Sequence, residues 1–343
     1  MSRRGTRGLT PARATTRAAP VRRVGRRARR GAFGLSRAAL ALAVLAACGS
    51  RTGLFVDDTF GPLPPADASV DGRADARLDA SADAVPPIDA TRPEADVFRS
   101  DCPDASATLV YVVTDENELF AFDPTTLAFR EIGVIACPSA PGATPFSMAV
   151  DRVGVAYVLF NDGQLYRVST ATAACVGTGF RPRQQGFFTF GMGYATDRLG
   201  PTESLYVAGD STNAGSTGLG RIDTQSFVLS RVGPFVPLID RAELTGTGDG
   251  RLYAFYTKGG QRGSYVGEVD TQTARVIGEN PLPTVTQGSA WAFAFWGGDF
   301  YLFTAPGAGS RVTRYRPADN TVVDLTNLPT RIVGAGVSTC APQ

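Results

Sequence analysis

The side chains that most often perform catalysis or bind metals are sparse in this sequence. It contains no histidine, which excludes imidazole general bases, Ser-His-Asp triads and histidine metal sites. Its five cysteines show no CxxC spacing, which argues against a cysteine-ligated metal. The glycine-rich stretches at 215–220 and 307–309 lack the lysine and the order of a phosphate-binding loop. We therefore predict no metal site and no cofactor.

Glu243 is the acidic residue with the greatest potential for chemistry. The repeat pattern described below places it in the innermost strand of the fourth unit. Hydrolysis of a glycosidic bond needs a pair of carboxylates, and no second or third acid occupies a matching place in the other units. Two interpretations follow. Glu243 is a channel residue satisfied by water or arginine, or it is one catalytic group of a sugar hydrolase or lyase.

The amino-terminal segment has the features of an export signal. Residues 3–37 are rich in arginine, and residues 38–47 form an apolar run of ten residues that is too short to remain as a membrane-spanning helix. The sequence at 45–49, Leu-Ala-Ala-Cys-Gly, resembles the lipobox of bacterial lipoproteins. The resemblance implies that Cys48 is lipidated and becomes the first residue of the mature chain. Alternatives are an ordinary secretory signal with a chance cysteine and, at 29–33, a twin-arginine signal.

The charges of the chain are segregated along its length. Residues 1–47 contain twelve arginines and no acid, and the remainder has 22 basic against 32 acidic residues, a net charge of −10. So acidic a mature chain argues against nucleic-acid binding. Residues 48–105 repeat Asp-Ala among prolines and contain few apolar residues, which predicts a disordered linker. The alternative, that these aspartates bind calcium, lacks the glycines that bend calcium loops.

From residue 106 onward the sequence repeats with a period of about 47 residues. A short strand with a central tyrosine recurs five times, at intervals of 46, 49, 47 and 48 residues. The five tyrosines are Tyr111, Tyr157, Tyr206, Tyr253 and Tyr301. Each lies in a unit of four alternating strands joined by Gly, Asp, Asn and Ser turns, with no helical period. Four strands per unit at this period are typical of a β-propeller blade.

The pattern therefore predicts an all-β, five-bladed β-propeller over residues 106–343. The first unit lacks an innermost strand, and one strand is left over at 332–338. This strand is expected to complete blade one and close the ring. Small residues suit such inner strands, where the blades crowd the axis, and the repeated tyrosines are interpreted as packing between blades. Trp291, Phe293, Phe295 and Trp296 are likewise interpreted as core.

Four cysteines remain after Cys48, an even number in an exported chain. Three pairings are possible, and the propeller selects one of them. A bridge between Cys102 and Cys340 would fasten the closing strand to the beginning of the domain. Cys137 and Cys175 would then pair between the outer strands of the neighbouring blades one and two.

The repeat region resembles a group of surface lipoproteins from GC-rich Gram-negative bacteria with propeller repeats of the WD40/YVTN type. The resemblance lies in Gly-Met-Gly-Tyr at 191–194, the aromatic run at 288–303 and Gly-Ala-Gly-Val-Ser-Thr-Cys-Ala-Pro at 334–342, and it covers residues 102–343. It implies a fold and a location, and no activity.

The favoured interpretation is a monomeric, non-enzymatic binding or scaffold module, anchored to the membrane by lipid and facing the periplasm or the cell surface. Its expected partner is an envelope protein or polysaccharide, and the alternative is the carbohydrate hydrolase or lyase. Gly49 after the cysteine favours the outer membrane, by analogy with lipoprotein sorting. The long loops at 212–217 and 258–264 are predicted to form the contact face.

Overall fold

The computed structural model describes residues 85–89, 102, 108–197, 201–209 and 217–343. Cys48 and the export signal lie outside the described residues, as do most of the linker interval and residues 212–216 of the first long loop. Apart from one short 3-10 turn at Gln184–Gly186, the regular structure of the described residues is entirely β-strand.

Five antiparallel sheets of four strands form the described domain, in agreement with the predicted five-bladed propeller. From innermost to outermost, blade one consists of β20 (Ile332–Val337), β1 (Val110–Thr114), β2 (Glu118–Asp123) and β3 (Ala128–Val134), and blade two of β4 (Pro145–Val150), β5 (Val155–Phe160), β6 (Leu165–Ser169) and β7 (Cys175–Gly177). Blade three consists, in the same order, of β8 (Phe190–Thr196), β9 (Glu203–Gly209), β10 (Leu219–Ile222) and β11 (Leu229–Gly233). Blade four consists of β12 (Ala242–Gly246), β13 (Leu252–Tyr256), β14 (Ser264–Val269) and β15 (Val276–Leu282). Blade five consists of β16 (Trp291–Trp296), β17 (Asp299–Thr304), β18 (Ser310–Arg316) and β19 (Thr321–Leu328).

Ring closure follows the predicted route. The carboxy-terminal strand β20 pairs antiparallel with β1, and Val110 lies opposite Val337. Cys102 and Cys340 form a disulfide with their Cα atoms 5.5 Å apart, which confirms the first predicted bridge. Cys137 and Cys175 form the second, with a Cα separation of 5.1 Å, and it joins the segment just after the outer strand of blade one to the outer strand of blade two. Disulfides are typical of proteins that fold in an oxidising compartment outside the cytoplasm.

Small residues allow the inner strands to approach one another closely, as the sequence predicted. A Cβ atom added to Gly193 in β8 would lie 2.7 Å from the backbone carbon of Leu244 in β12. One added to Gly334 in β20 would lie 2.7 Å from the backbone nitrogen of Met148 in β4. Real side chains do not tolerate such distances, so glycine at these positions sets the spacing of the blades around the axis.

The turns between the third and outer strands repeat the same local geometry. In blades one, three and four an aspartate side chain accepts hydrogen bonds from the backbone two and three residues ahead, and Ser169 plays this part in blade two. Every blade also has a non-glycine residue with positive φ in this turn, namely Leu127, Ala173, Phe227, Ala274 and Asn320. The 47-residue repeat of the sequence is therefore also a repeat of turn conformation.

The repeated tyrosines fill the spaces between blades. All except Tyr111 are buried, and Tyr157 packs against Tyr194 of blade three with a distance of 5.7 Å between ring centroids. Tyr301 approaches Phe122 of blade one edge-on at 5.6 Å, which seals the junction between the last and first blades. Burial raises the pKa of Tyr157 and Tyr301, so both remain neutral phenols at physiological pH. Their predicted role as blade-to-blade packing is confirmed.

Candidate functional site

The amino-terminal ends of the inner strands surround a cavity of about 100 Å³ at one end of the propeller axis. We call this opening the mouth and define it by Phe146, Arg241, Glu243, Trp291 and Val333, which contribute to its wall. These residues come from the beginnings of β4, β12, β16 and β20 or from the position just before them. A smaller cavity beside it extends the mouth to Phe190 and Gly191 at the beginning of β8. All five blades therefore contribute to the same opening.

Glu243 lies at the floor of the mouth, in the innermost strand of blade four as predicted. Its side chain is 5 % exposed. Its Oε2 accepts a hydrogen bond of 2.7 Å from the hydroxyl of Ser147 in blade two. The same hydroxyl accepts a bond of 3.1 Å from the backbone N–H of Met192 in blade three. Glu243 thus links three blades across the axis, and its partners are a serine and a backbone amide.

Burial raises the pKa of Glu243 well above its ordinary value, because an ionised carboxylate would lose its hydration there. Hydrogen bonds from Ser147 and from the backbone of Met192 act in the opposite direction and are the smaller effect. Among the described residues these are the groups that act on the pKa of Glu243, and the arginine partner that the sequence interpretation offered is not one of them. Glu243 is therefore a buried carboxylic acid that tends to stay protonated.

The inner strands, all of which the structure describes, contain no other carboxylate than Glu243. Two acids flanking a scissile bond are needed for acid–base glycoside hydrolysis, and the lining of the axis supplies one. Within the described ranges, moreover, no three His, Cys, Asp or Glu side chains are grouped so that they could hold a metal ion. The mouth consequently has the groups for binding, and it lacks an acid–base pair on its inner strands.

Trp291 and Arg241 give the mouth its recognition chemistry. Trp291 is half-buried, packs against the core of blades four and five, and also contributes to the cavity wall. The sequence interpretation placed Trp291 in the core, and the structure gives it both roles. Its indole Nε1 has no hydrogen-bond partner among the described residues. Arg241 adds a positive charge, so the mouth combines a cation with the rings of Trp291 and Phe146, a composition suited to flat, partly polar groups.

Arg241, Phe146 and Val333 are mouth residues that sequence reasoning missed. A signal was available, because all three lie at the beginning of a predicted inner strand or directly before it. The predicted contact loop at 258–264 follows β13, and Tyr256 pairs with Ala242, so this loop rises on the same face as the mouth. In it, Lys258 forms an ion pair of 2.5 Å with Glu279 and lies 4.7 Å from the ring centroid of Tyr265.

A buried polar network centred on Arg152 lies at the opposite ends of the inner strands. Its guanidinium donates to Thr339 after the closing strand, at 3.4 Å, and to Thr196 of blade three, at 3.1 Å. It also donates to the carbonyl of Pro201. Glu203 accepts from the backbone N–H of Arg152 at 2.6 Å and from the hydroxyl of Thr339 at 2.8 Å. This network joins blades one, two and three on the face opposite to the mouth.

No protein-family model and no curated protein matches this chain. Among solved structures, it is similar to a chain of a nidogen/laminin complex, with 12 % identity, a TM-score of 0.46 and coverage of 68 % of this chain and 99 % of that one. It is also similar to TolB from Acinetobacter baumannii, with 15 % identity, a TM-score of 0.40 and coverage of 71 % and 56 %. Hydrazine synthase from Kuenenia stuttgartiensis matches with 14 % identity, a TM-score of 0.33 and coverage of 67 % and 68 %. The five-bladed assignment rests on the strand pairing described above.

Within the described ranges there is no helix long and apolar enough to cross a membrane.

Proposed function

We propose that this chain is an extracytoplasmic binding module, tethered to a membrane through lipid on Cys48, that holds an envelope polysaccharide or protein at its mouth. The observation that carries the proposal is the convergence of Trp291, Phe146 and Arg241 around one cavity above a neutral, buried Glu243. Aromatic rings and a guanidinium can stack on and hydrogen-bond a ligand without performing chemistry on it.

The attachment of the amino-terminal chain is compatible with a mouth that faces away from the membrane. The bridge from Cys102 reaches Cys340, which follows the carboxyl end of β20, whereas Val333 lies at the mouth near the other end of that strand. A strand of six residues separates its two ends by roughly 17–20 Å. The bridge therefore holds Cys102 on the face opposite to the mouth.

The anchor is tested by metabolic labelling with an alkyne-modified fatty acid, followed by membrane fractionation. The wild-type chain is expected to carry the label and to sediment with the outer membrane, and Cys48→Ser is expected to lose both properties. A labelled Cys48→Ser variant, or an unlabelled wild-type chain, would show that Cys48 is not the lipidated residue.

The binding site is tested on the purified wild-type protein with a glycan array and with envelope extracts, followed by titration of the ligand that is retained. Loss of about 1 kcal/mol of aromatic contact corresponds to a Kd roughly fivefold weaker, so Trp291→Ala and Arg241→Ala are each expected to weaken binding by at least this factor. Val228→Ala, at an exposed position in blade three, is the control. Equal affinities in all three variants would place the ligand elsewhere.

The hydrolase or lyase alternative predicts turnover of sugar substrates that depends on Glu243. Incubation of wild type and Glu243→Gln with a panel of glycosides and polysaccharides separates the two functions. Retention of ligand without product by both proteins supports the binding module. Product formed by wild type and lost in Glu243→Gln would overturn it.

A further inference from the structure

Residues 85–89, a short piece of the interval predicted as linker, have a fixed place on the propeller. The segment reads Val-Pro-Pro-Ile-Asp and is extended against blade four. Ile88 is 6 % exposed and belongs to the core cluster shared by blades four and five, together with Leu282 and Val285. Val85 packs against the neighbouring cluster that contains Val276. A segment from outside the repeat thus contributes to two parts of the core.

The backbone of this segment is hydrogen-bonded to the outer strand β15. The amide of Glu279 donates a hydrogen bond of 2.6 Å to the carbonyl of Pro86. Gly278 makes the approach possible, because a Cβ atom there would lie 3.2 Å from both the Cα of Ile88 and the carbonyl oxygen of Pro87. The contact resembles the docking of a peptide on a sheet edge, because it combines a backbone hydrogen bond to the outer strand with the burial of an apolar side chain beside it.

Strand β15 differs from the other outer strands in a way that matches this occupant. Four of its seven residues are buried, namely Val276, Gly278, Asn280 and Leu282. The outer strands β3, β7 and β19 have no buried residue. An uncovered apolar edge would be exposed to pairing with other chains, and a docked segment removes that exposure.

We propose that the outer edge of blade four is a docking site for an extended Pro-Pro-Ile peptide, and that the chain's own residues 85–89 occupy it in cis. Twelve residues separate Asp89 from Cys102, which is itself fixed by its disulfide. A short connection of this kind gives an effective concentration on the order of millimolar. A segment held by a backbone hydrogen bond and by the packing of Val85 and Ile88 therefore occupies its site even when its affinity as a free peptide is weak. This inference is independent of the function proposed for the mouth.

Two substitutions empty the site in different ways. Ile88→Asp places a charge where the anchor is buried and leaves the receiving edge intact. Gly278→Val leaves the segment intact and fills the space that Ile88 and Pro87 need. Val228→Asp, which introduces the same charge at an exposed position of blade three, is the matched control. Folding of each variant is verified by its two disulfides and by the amide protection of the inner strands.

The first readout is hydrogen–deuterium exchange at the amide of Glu279, which the segment protects. Exchange at this amide is expected to accelerate at least tenfold in Ile88→Asp and in Gly278→Val and to stay unchanged in Val228→Asp. Equal protection of Glu279 in wild type and Ile88→Asp would overturn the proposal.

The second readout is binding in trans of a synthetic peptide with the sequence of residues 84–90, Ala-Val-Pro-Pro-Ile-Asp-Ala. At millimolar concentration the peptide is expected to bind Ile88→Asp and to restore protection of Glu279. Wild type, whose site is occupied, and Gly278→Val, whose site is filled, are expected to bind it at least tenfold more weakly. Equal binding to Ile88→Asp and Gly278→Val would show that the edge of β15 is not the recognition site.

Discussion

Replacement of Glu243 by glutamine isolates the energetic effect of burying an acid at the centre of the propeller. Glutamine retains a side-chain oxygen that can accept the hydrogen bond from Ser147, and it cannot titrate. In the folded wild type, burial raises the pKa of Glu243 well above its ordinary value of 4.5, whereas the unfolded chain exposes it to water. Folding and proton uptake are therefore coupled at this residue.

The sign and size of the coupling follow from linkage. Above pH 4.5 the unfolded chain releases the proton of Glu243 while the folded chain keeps it, up to the raised folded pKa. In this window the folded state binds one proton more, so the contribution of Glu243 to stability falls by about 1.4 kcal/mol for each unit of rising pH. As the pH rises, Glu243→Gln should therefore become more stable relative to wild type. The difference between their unfolding free energies should grow by about 1.4 kcal/mol for each pH unit.

Urea denaturation at several pH values between 5 and 8, with both disulfides intact, measures this difference. The slope is the readout, because any fixed cost of placing an amide in the core shifts all points equally. Glu131→Gln, which replaces an exposed carboxylate of blade one by the same amide, serves as the control for the substitution itself. Parallel stability curves for Glu243→Gln and wild type would show that Glu243 is ionised in the folded protein and would refute the reasoning.

Two further predictions concern the closure and the centre of the ring. Replacing both cysteines of the Cys102–Cys340 bridge, which spans 238 residues, should cost about 5 kcal/mol of unfolding free energy, against about 4 kcal/mol for the 38-residue Cys137–Cys175 bridge, by the chain-entropy relation. Calorimetry of the two double-serine variants checks this order, and a larger loss from the shorter loop would contradict it. Gly193→Ala should lower Tm because its Cβ meets the backbone of β12, whereas Gly177→Ala, with open space around it, should leave Tm nearly unchanged. Equal Tm values for Gly193→Ala and Gly177→Ala would contradict this prediction, because they would mean that the inner strands can move apart at no cost in stability.

Much of the architecture was predictable from the sequence because each repeat contains the same pattern of strands and turns. The tyrosine spacing and the alternation of apolar residues indicated four-stranded units, since a half-buried strand presents every second side chain to a neighbour. The missing first strand and the leftover last strand indicated how the ring closes, and this in turn selected the cysteine pairing. The same alignment of the five units placed Glu243 in an innermost strand.

The mouth was less predictable because its members are far apart in sequence. Arg241 and Trp291 lie 50 residues apart and Phe146 lies 95 residues before Arg241, so their spacing follows the repeat without showing which of the repeated positions line a cavity. The partners of Glu243 were equally hidden. A water or an arginine was a reasonable expectation, and the structure provides Ser147 and a backbone amide from two other blades.

The composition of residues 85–89 indicates an extended chain, but it does not indicate which surface of the propeller the segment contacts. Proline excludes helix locally, but whether Ile88 is exposed or buried depends on the presence of Gly278 and an open strand edge 190 residues later. By itself the sequence determined the repeating unit, the number of blades, the closing strand and the cross-links, all of which follow from periodicity and counting. Only the tertiary structure decided which side chains meet at the axis and which strand edge receives the segment, because those contacts depend on how the five blades and the segment pack together in space.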